Sequence, residues 1–170
     1  MSPLRLEGRA RVFGDDVNTD YIITSRRKRE SLDPQFLRNY LFEEINGEFA
    51  ESVRAGDLIV AGENFGCGSA MEVAVTAVLD AGIRAVIARS FSRTYFRNAI
   101  NNGLLPVECD TREIGEGDAI AVHETPRGMV VENISTGKRF EANPLPKITL
   151  DILAAGGLVR YFRERGDFRV

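Results

Sequence analysis

Residues 58–88 read LIVAGENFGCGSAMEVAVTAVLDAGIRAVIA, and the order of their parts decides the fold class. Leu58-Ile59-Val60-Ala61-Gly62 is an apolar run too short for a helix and suited to a strand buried on both faces. Asn64-Phe65-Gly66-Cys67-Gly68-Ser69 follows it as a glycine-rich turn. The spacing predicts a helix over 70–81, stopped by Gly82. Ala85-Val86-Ile87-Ala88 is a second buried strand. A strand, a helix and a strand in this order pair in parallel through a right-handed crossover.

The pattern repeats once toward the C-terminus. Arg93 to Asn102 reads as a helix closed by Gly103, and Leu104 to Glu108 as a third strand. Three runs, Ala119 to His123, Met129 to Ile134 and Lys138 to Ala142, read as a β-meander, with Ser135-Thr136-Gly137 as a hairpin turn. Two short helices, Lys147 to Ala155 and Leu158 to Arg165, close the chain. Toward the N-terminus, Gly8 to Phe13 alternates as a strand. A polar loop, Gly14 to Asp20, precedes Ile22-Ile23 and the cationic run Arg26-Arg27-Lys28-Arg29. Asp33 is an N-cap with Pro34 at the first helical position, and apolar spacing carries that helix from Pro34 to Ile45. The expected class is α/β, a central parallel sheet with an added β-meander, in one domain over residues 1–170.

Composition excludes several functions. The 170 residues carry a net charge of -3, so no general affinity for nucleic acid is expected. There is no apolar run long enough to span a membrane and no apolar signal core near the N-terminus. The reading is a cytoplasmic protein. Cys67, Cys109 and His123 are all the cysteine and histidine in the chain, too few for a thiolate framework or a catalytic metal held by this chain alone.

Three features could carry chemistry. In the Gly66-Cys67-Gly68-Ser69 turn, two glycines let backbone approach a ligand, and amides at a helix start favour an anion; the plainer reading is a tight turn with Ser69 as N-cap. Asp15, Asp16 and Asp20 fall within six residues and could accept cations or cap a helix; the plainer reading is a turn held by Asx bonds. Arg26 to Arg29 could grip carboxylates or be simply solvated. Cys67 has no base partner near it in sequence, and His123 sits in an expected strand as a structural or exposed residue.

Together these stretches resemble one family. GRARVFGDDVNTDYII, GDLIVAGENFGCGS, AVIARSFSRTYFRNAINNGLLPVEC and ITLDILAAGGLVRYFRERGDF, in that order, are similar to small subunits of the aconitase-type isopropylmalate dehydratases and homoaconitases. The resemblance implies a swivelling β/β/α domain like the last domain of aconitase. It implies a large partner subunit carrying a [4Fe-4S] cluster, no cofactor in this chain, and a small hydroxy-dicarboxylic acid as substrate. It implies that Ser69 is the catalytic base and that Asp20, Gly66 and Gly68 belong to the substrate site.

The sequence also departs from the family. Where the pattern continues Ser-Arg after the turn, this chain has Ala70-Met71, and a carboxylate grip is lost. The stretch Thr24 to Glu30 replaces the usual substrate-selecting loop with cations, so Arg26, Arg27 and Arg29 are candidate replacements. Three readings follow: an isopropylmalate dehydratase subunit of leucine biosynthesis, a subunit for homoaconitate or another substituted malate, and a non-catalytic domain that binds an anion or a partner.

Overall fold

The computed structural model describes residues 3–166; Met1, Ser2 and the end of the C-terminal resemblance at Asp167-Phe168 lie outside them. Seven strands form one sheet in the order β4-β3-β2-β1-β5-β6-β7. They are β1 (Arg5–Val12), β2 (Leu58–Ala61), β3 (Ala85–Ala88), β4 (Leu105–Glu108), β5 (Ala119–Thr125), β6 (Gly128–Asn133) and β7 (Lys138–Glu141). The helices are α1 (Thr19–Ile22), α2 (Ser25–Glu30), α3 (Pro34–Leu37), α4 (Phe49–Ser52), α5 (Val73–Asp80), α6 (Arg93–Asn102), α7 (Lys147–Ala154) and α8 (Leu158–Arg165). The expected parallel sheet and meander are both present, but they are not separate layers. β1 pairs in parallel with β2, from Ala10↔Leu58, and antiparallel with β5, from Arg5↔His123.

Side-chain alternation explains how one sheet builds two cores. Ile59, Ala61, Val86 and Ala88 point into a cluster with Ala74, Val78 and Tyr95 of α5 and α6. Leu58, Val60, Ala85, Ile87 and Leu105 point the other way and meet Ile120, Val122, Met129 and Val131 of the meander. The sheet therefore curls, and its two halves share the second core. Pro106 lies in β4, at an edge, where its missing N–H costs no ladder bond. The other edge, β7, reads Lys138-Arg139-Phe140-Glu141, with charges that discourage pairing with another chain.

Element boundaries follow the sequence reading at β3, α6 and α8 and depart from it most plainly at two segments before β2. The helix expected over 34–45 stops after α3 and one 3₁₀ turn at Arg38–Tyr40. Leu41 then turns extended and Phe42 takes φ +56°. The cause is tertiary: Phe42 is buried with its ring 4.1 Å from Phe13 and 4.8 Å from Phe49, and aromatic burial outweighs one strained residue. The second departure is the run 25–30, read as a loop. It is α2, capped by Thr24, whose hydroxyl accepts from the Arg27 amide.

β1 is anchored by a buried charge network. Asp57 and Arg11 are each about 95% buried, 3.5 Å apart. Arg11 also donates to Glu116 at 2.9 Å and Ser52 at 2.8 Å and lies over the Phe49 ring. Burial alone would push the Asp57 carboxyl up, but hydrogen bonds from Arg9 and the Arg54 amide outweigh it and hold the carboxyl below its usual range. Asp57→Ala leaves the buried Arg11 guanidinium with only the exposed Glu116 carboxylate as counter-charge, so unfolding in urea should show a loss of about 2–3 kcal/mol. Because the folded state depresses this carboxyl, its contribution is complete above about pH 4. It falls away as pH drops through the folded value, and the acid slope of stability should be shallower in Asp57→Asn.

Candidate functional site

β1 to β4 run in one direction, so the loops that follow them gather at one edge of the sheet. Open α/β sheets bind ligands at the carboxyl ends of their strands. Here the loops after β1, β2 and β3 are joined by hydrogen bonds. Asp16 N donates to Glu63 O at 2.8 Å, Gly66 N to Val17 O at 2.8 Å, and Thr19 N to Cys67 O at 2.9 Å. The Asp15 carboxylate accepts from Glu63 N at 2.7 Å and from Arg89 at 2.9 Å, which keeps it ionised well into acid. Asn64 N donates to Ser90 Oγ at 2.7 Å, and Ser92 Oγ to Gly66 O at 2.8 Å. Two motifs some fifty residues apart in the chain thus become one surface.

The two glycines are needed for packing. Gly66 has φ +79° and Gly68 φ +92°. A Cβ on Gly66 would stand 2.2 Å from the Tyr95 ring, and one on Gly68 2.4 Å from the Asn18 amide group. Gly66 is buried, and its N–H and C=O are both used within the chain. Within the chain, Gly66 shapes the turn. Gly68 differs. It is exposed, and the amides of Gly68, Ser69 and Ala70 donate to no acceptor among the described residues. They are N–H groups open to an anion.

Ser69 is exposed, with its carbonyl held by the Thr19 hydroxyl at 2.8 Å. It is not a helix N-cap. α5 begins at Val73, later than the expected Ala70, and its cap residue, Glu72, makes no side-chain cap. The reason is Met71, which is 4% exposed and turned into the core. Burying that side chain while Thr19 holds Ser69 keeps residues 69–71 out of the helix, and Glu72 is the first with helical backbone angles. Ala70 is exposed, so no cation follows the serine.

Asp20 is exposed in the first turn of α1, which Asn18 caps at 2.9 Å. Its carboxylate accepts from the Ser25 amide at 2.8 Å and hydroxyl at 2.6 Å, so it joins α1 to the start of α2. The cationic run divides. Arg27 makes two bonds of 3.1 Å to Glu43, one to Glu30 at 3.2 Å, and stacks on Tyr40 at 3.7 Å. Its guanidinium is engaged on all sides within this chain. The Glu43 carboxyl is correspondingly held low by Arg27, against the effect of its burial. Arg26 leans toward Glu43 at 3.6 Å, and Arg29 toward the Ser25 carbonyl at 3.4 Å; both are exposed.

Cys67 is half-buried between the glycines; burial, then the charge of Asp16, pushes its thiol up. Cys109 is buried and pushed up to about 12. His123 lies in β5, on the antiparallel half. Among the described residues no three His, Cys, Asp or Glu side chains are grouped to hold a metal ion, and the two thiols lie in separate loops. The residues of this chain do not fit an iron–sulfur cluster. Sequence reasoning missed Asn18, Thr19, Ser92 and Tyr95. Ser92 and Asn18 had a local signal, each standing directly before a helix, where Ser92 accepts from the Tyr95 amide and Asn18 from the Asp20 amide. Thr19 and Tyr95 act through contacts with distant residues.

Residues 38–112 match the Aconitase C-terminal domain family. The chain is 46% identical over 165 residues to 3-isopropylmalate dehydratase small subunit 1 of Methanopyrus kandleri, covering 95% of this chain and 94% of that protein. It is 44% identical to the methanogen homoaconitase small subunit of Methanocaldococcus jannaschii, covering 94% and 92%. The crystal structure of a 3-isopropylmalate dehydratase from the same organism superposes with a TM-score of 0.89 at 42% identity, covering 96% of each chain. No helix among the described residues is long and apolar enough to cross a membrane.

A thiol held above its ordinary range reacts slowly at neutral pH. Alkylation of Cys67 by iodoacetamide, followed by mass spectrometry, should be slower at pH 7 than for a free thiol. It should accelerate only above about pH 8.5, where a free thiol is already half ionised.

Proposed function

Because the chain belongs to the 3-isopropylmalate dehydratase small-subunit family, we propose that with a large partner subunit it interconverts 2-isopropylmalate and 3-isopropylmalate. The reaction removes water across two carbons and returns it with the hydroxyl on the neighbour. The observation that carries this reading is the exposed Ser69, pinned through Thr19 among the unpartnered amides of Gly68, Ser69 and Ala70. In this reading the iron–sulfur cluster belongs to the large subunit, consistent with the described residues offering no group of ligands for it.

In this reading Ser69 takes the proton from the carbon beside a carboxylate. A serine hydroxyl is a weak base, and its oxyanion must be stabilised where it forms. The three free amides supply fixed dipoles that need not reorganise. Gly68 gives this stretch its turn, because its left-handed backbone fits against Asn18. Asp20 sits at the same edge, locked by two bonds from Ser25, and orients α1 and α2 beside the serine loop. A second substrate, homoaconitate, is favoured by the likeness to the homoaconitase subunit and by exposed Arg26 and Arg29, which suit an additional carboxylate.

The chain, co-expressed with its large subunit without oxygen, should turn over 2-isopropylmalate, and homocitrate and citrate should be compared with it. Ser69→Ala should reduce kcat by about a hundredfold or more with assembly intact; near-full activity would sink the base assignment. The small subunit purified alone should be folded, colourless and inactive. An iron–sulfur absorption band in that preparation would contradict the placement of the cluster.

A further inference from the structure

The substrate of the proposed reaction carries two carboxylates, yet the serine loop offers no cation to meet them. Residues 62–72 contain Glu63 and Glu72 and no lysine or arginine; residues 13–20 contain Asp15, Asp16 and Asp20 and again none. A carboxylate taken out of water without a counter-charge is strongly disfavoured. Most arginines near this edge are already engaged. Arg89 is paired with Asp15 at 2.9 Å and faces Glu63 at 3.9 Å, Arg112 is paired with Asp110 at 2.7 Å, and Arg27 with Glu43.

Two are not. Arg93 and Arg97 stand one turn apart on α6, so their side chains share a face. Both are exposed and neither has a hydrogen bond, ion pair or ring contact among the described residues. They line a cavity of about 350 Å³ with Phe91, Phe96 and Glu108. The two rings, 5.7 Å apart, make an apolar wall. Glu108 is held by Asn143 at 2.9 Å and not by either arginine. The cavity is linked to the serine loop through Phe91 and Ser92. Phe65 pairs with Phe91, Ser92 N donates to Phe65 O at 3.0 Å, and Ser92 Oγ donates to Gly66 O. Arg93 is the next residue after Ser92.

We propose that Arg93 and Arg97 bind a carboxylate of the substrate, beside Ser69, and act as specificity-determining residues for a dicarboxylic acid. This rests on the dehydratase reading and extends it. A planar guanidinium grips a carboxylate with two parallel bonds, and a pair one turn apart sets the orientation of the acid as well as its charge. The Phe91–Phe96 wall lowers the water content around that contact and offers an apolar surface to the substrate's side group.

The test uses the assembled two-subunit enzyme with Arg93→Gln, Arg97→Gln and Arg97→Lys. Both residues are exposed, so the variants should fold as the wild type does. KM for 2-isopropylmalate should rise at least tenfold in each glutamine variant, while light scattering shows unchanged assembly. Calorimetry with malonate, a dicarboxylate that cannot be dehydrated, should show the same loss of affinity, and Arg97→Lys should restore part of it. The proposal is overturned if KM and malonate affinity stay within threefold. It is equally overturned if the variants release the large subunit, since the two arginines would then hold the partner. If the wild-type complex turns over no hydroxy-dicarboxylic acid, the dehydratase reading fails, and the malonate titration still decides whether these arginines bind a dicarboxylate.

Discussion

The parallel pairing of β1 with β2 is the constraint on which the site depends. Three residue pairs, Ala10↔Leu58 to Val12↔Val60, set the direction of both strands, and direction alone sends the loops after them to the same edge. Reversing either strand would separate Asp20 from Ser69 by the length of the sheet. Because β1 also pairs with β5, the same strand turns the sheet from parallel to antiparallel and lets it curl around the second core. The Arg11–Asp57 pair matters for this reason. It sits where β1 meets the start of β2 and ties the register to a buried charge that tolerates no slip.

How much of this was legible in the sequence depends on the range of the interaction that decides each element. α6, with a serine before it and a glycine after it, and β3, an apolar run of four, are set by local chemistry, and both ends of each could be read. The glycine turn was readable as a tight connection between strand and helix, and only its place among the other stretches of the family resemblance pointed beyond that. The boundary beside it was not readable. Local propensity starts a helix at Ala70, but Met71 is drawn into a core whose other members lie elsewhere in the chain. The helix over 34–45 fails in the same way, through Phe42 and its two aromatic partners.

The arginine run shows the opposite error. Four adjacent cations read as a solvated loop, because propensity says little about so short a segment. The missing information was Glu43 and Tyr40, which together hold Arg27 and make α2 worth forming. Charge adjacency in sequence is therefore a poor guide to which arginine is free. The unengaged pair here, Arg93 and Arg97, was hidden in an amphipathic helix where arginine is an ordinary surface residue.

The serine loop combines rigidity with incomplete electrostatics, and the two are related. Its backbone is over-determined by Gly66 against Tyr95, Gly68 against Asn18, and Thr19 on the Ser69 carbonyl. Such a loop keeps its unpartnered amides in place without reorganising, which is what stabilising a developing oxyanion would require. The nearby carboxylates that support it, Asp15 and Asp20, consume hydrogen bonds from Arg89 and Ser25 and leave the rim acidic. In the proposed reaction that rim would repel a dianionic substrate, so positive charge from outside the serine loop must complete the site, which is the part proposed for Arg93 and Arg97 on α6.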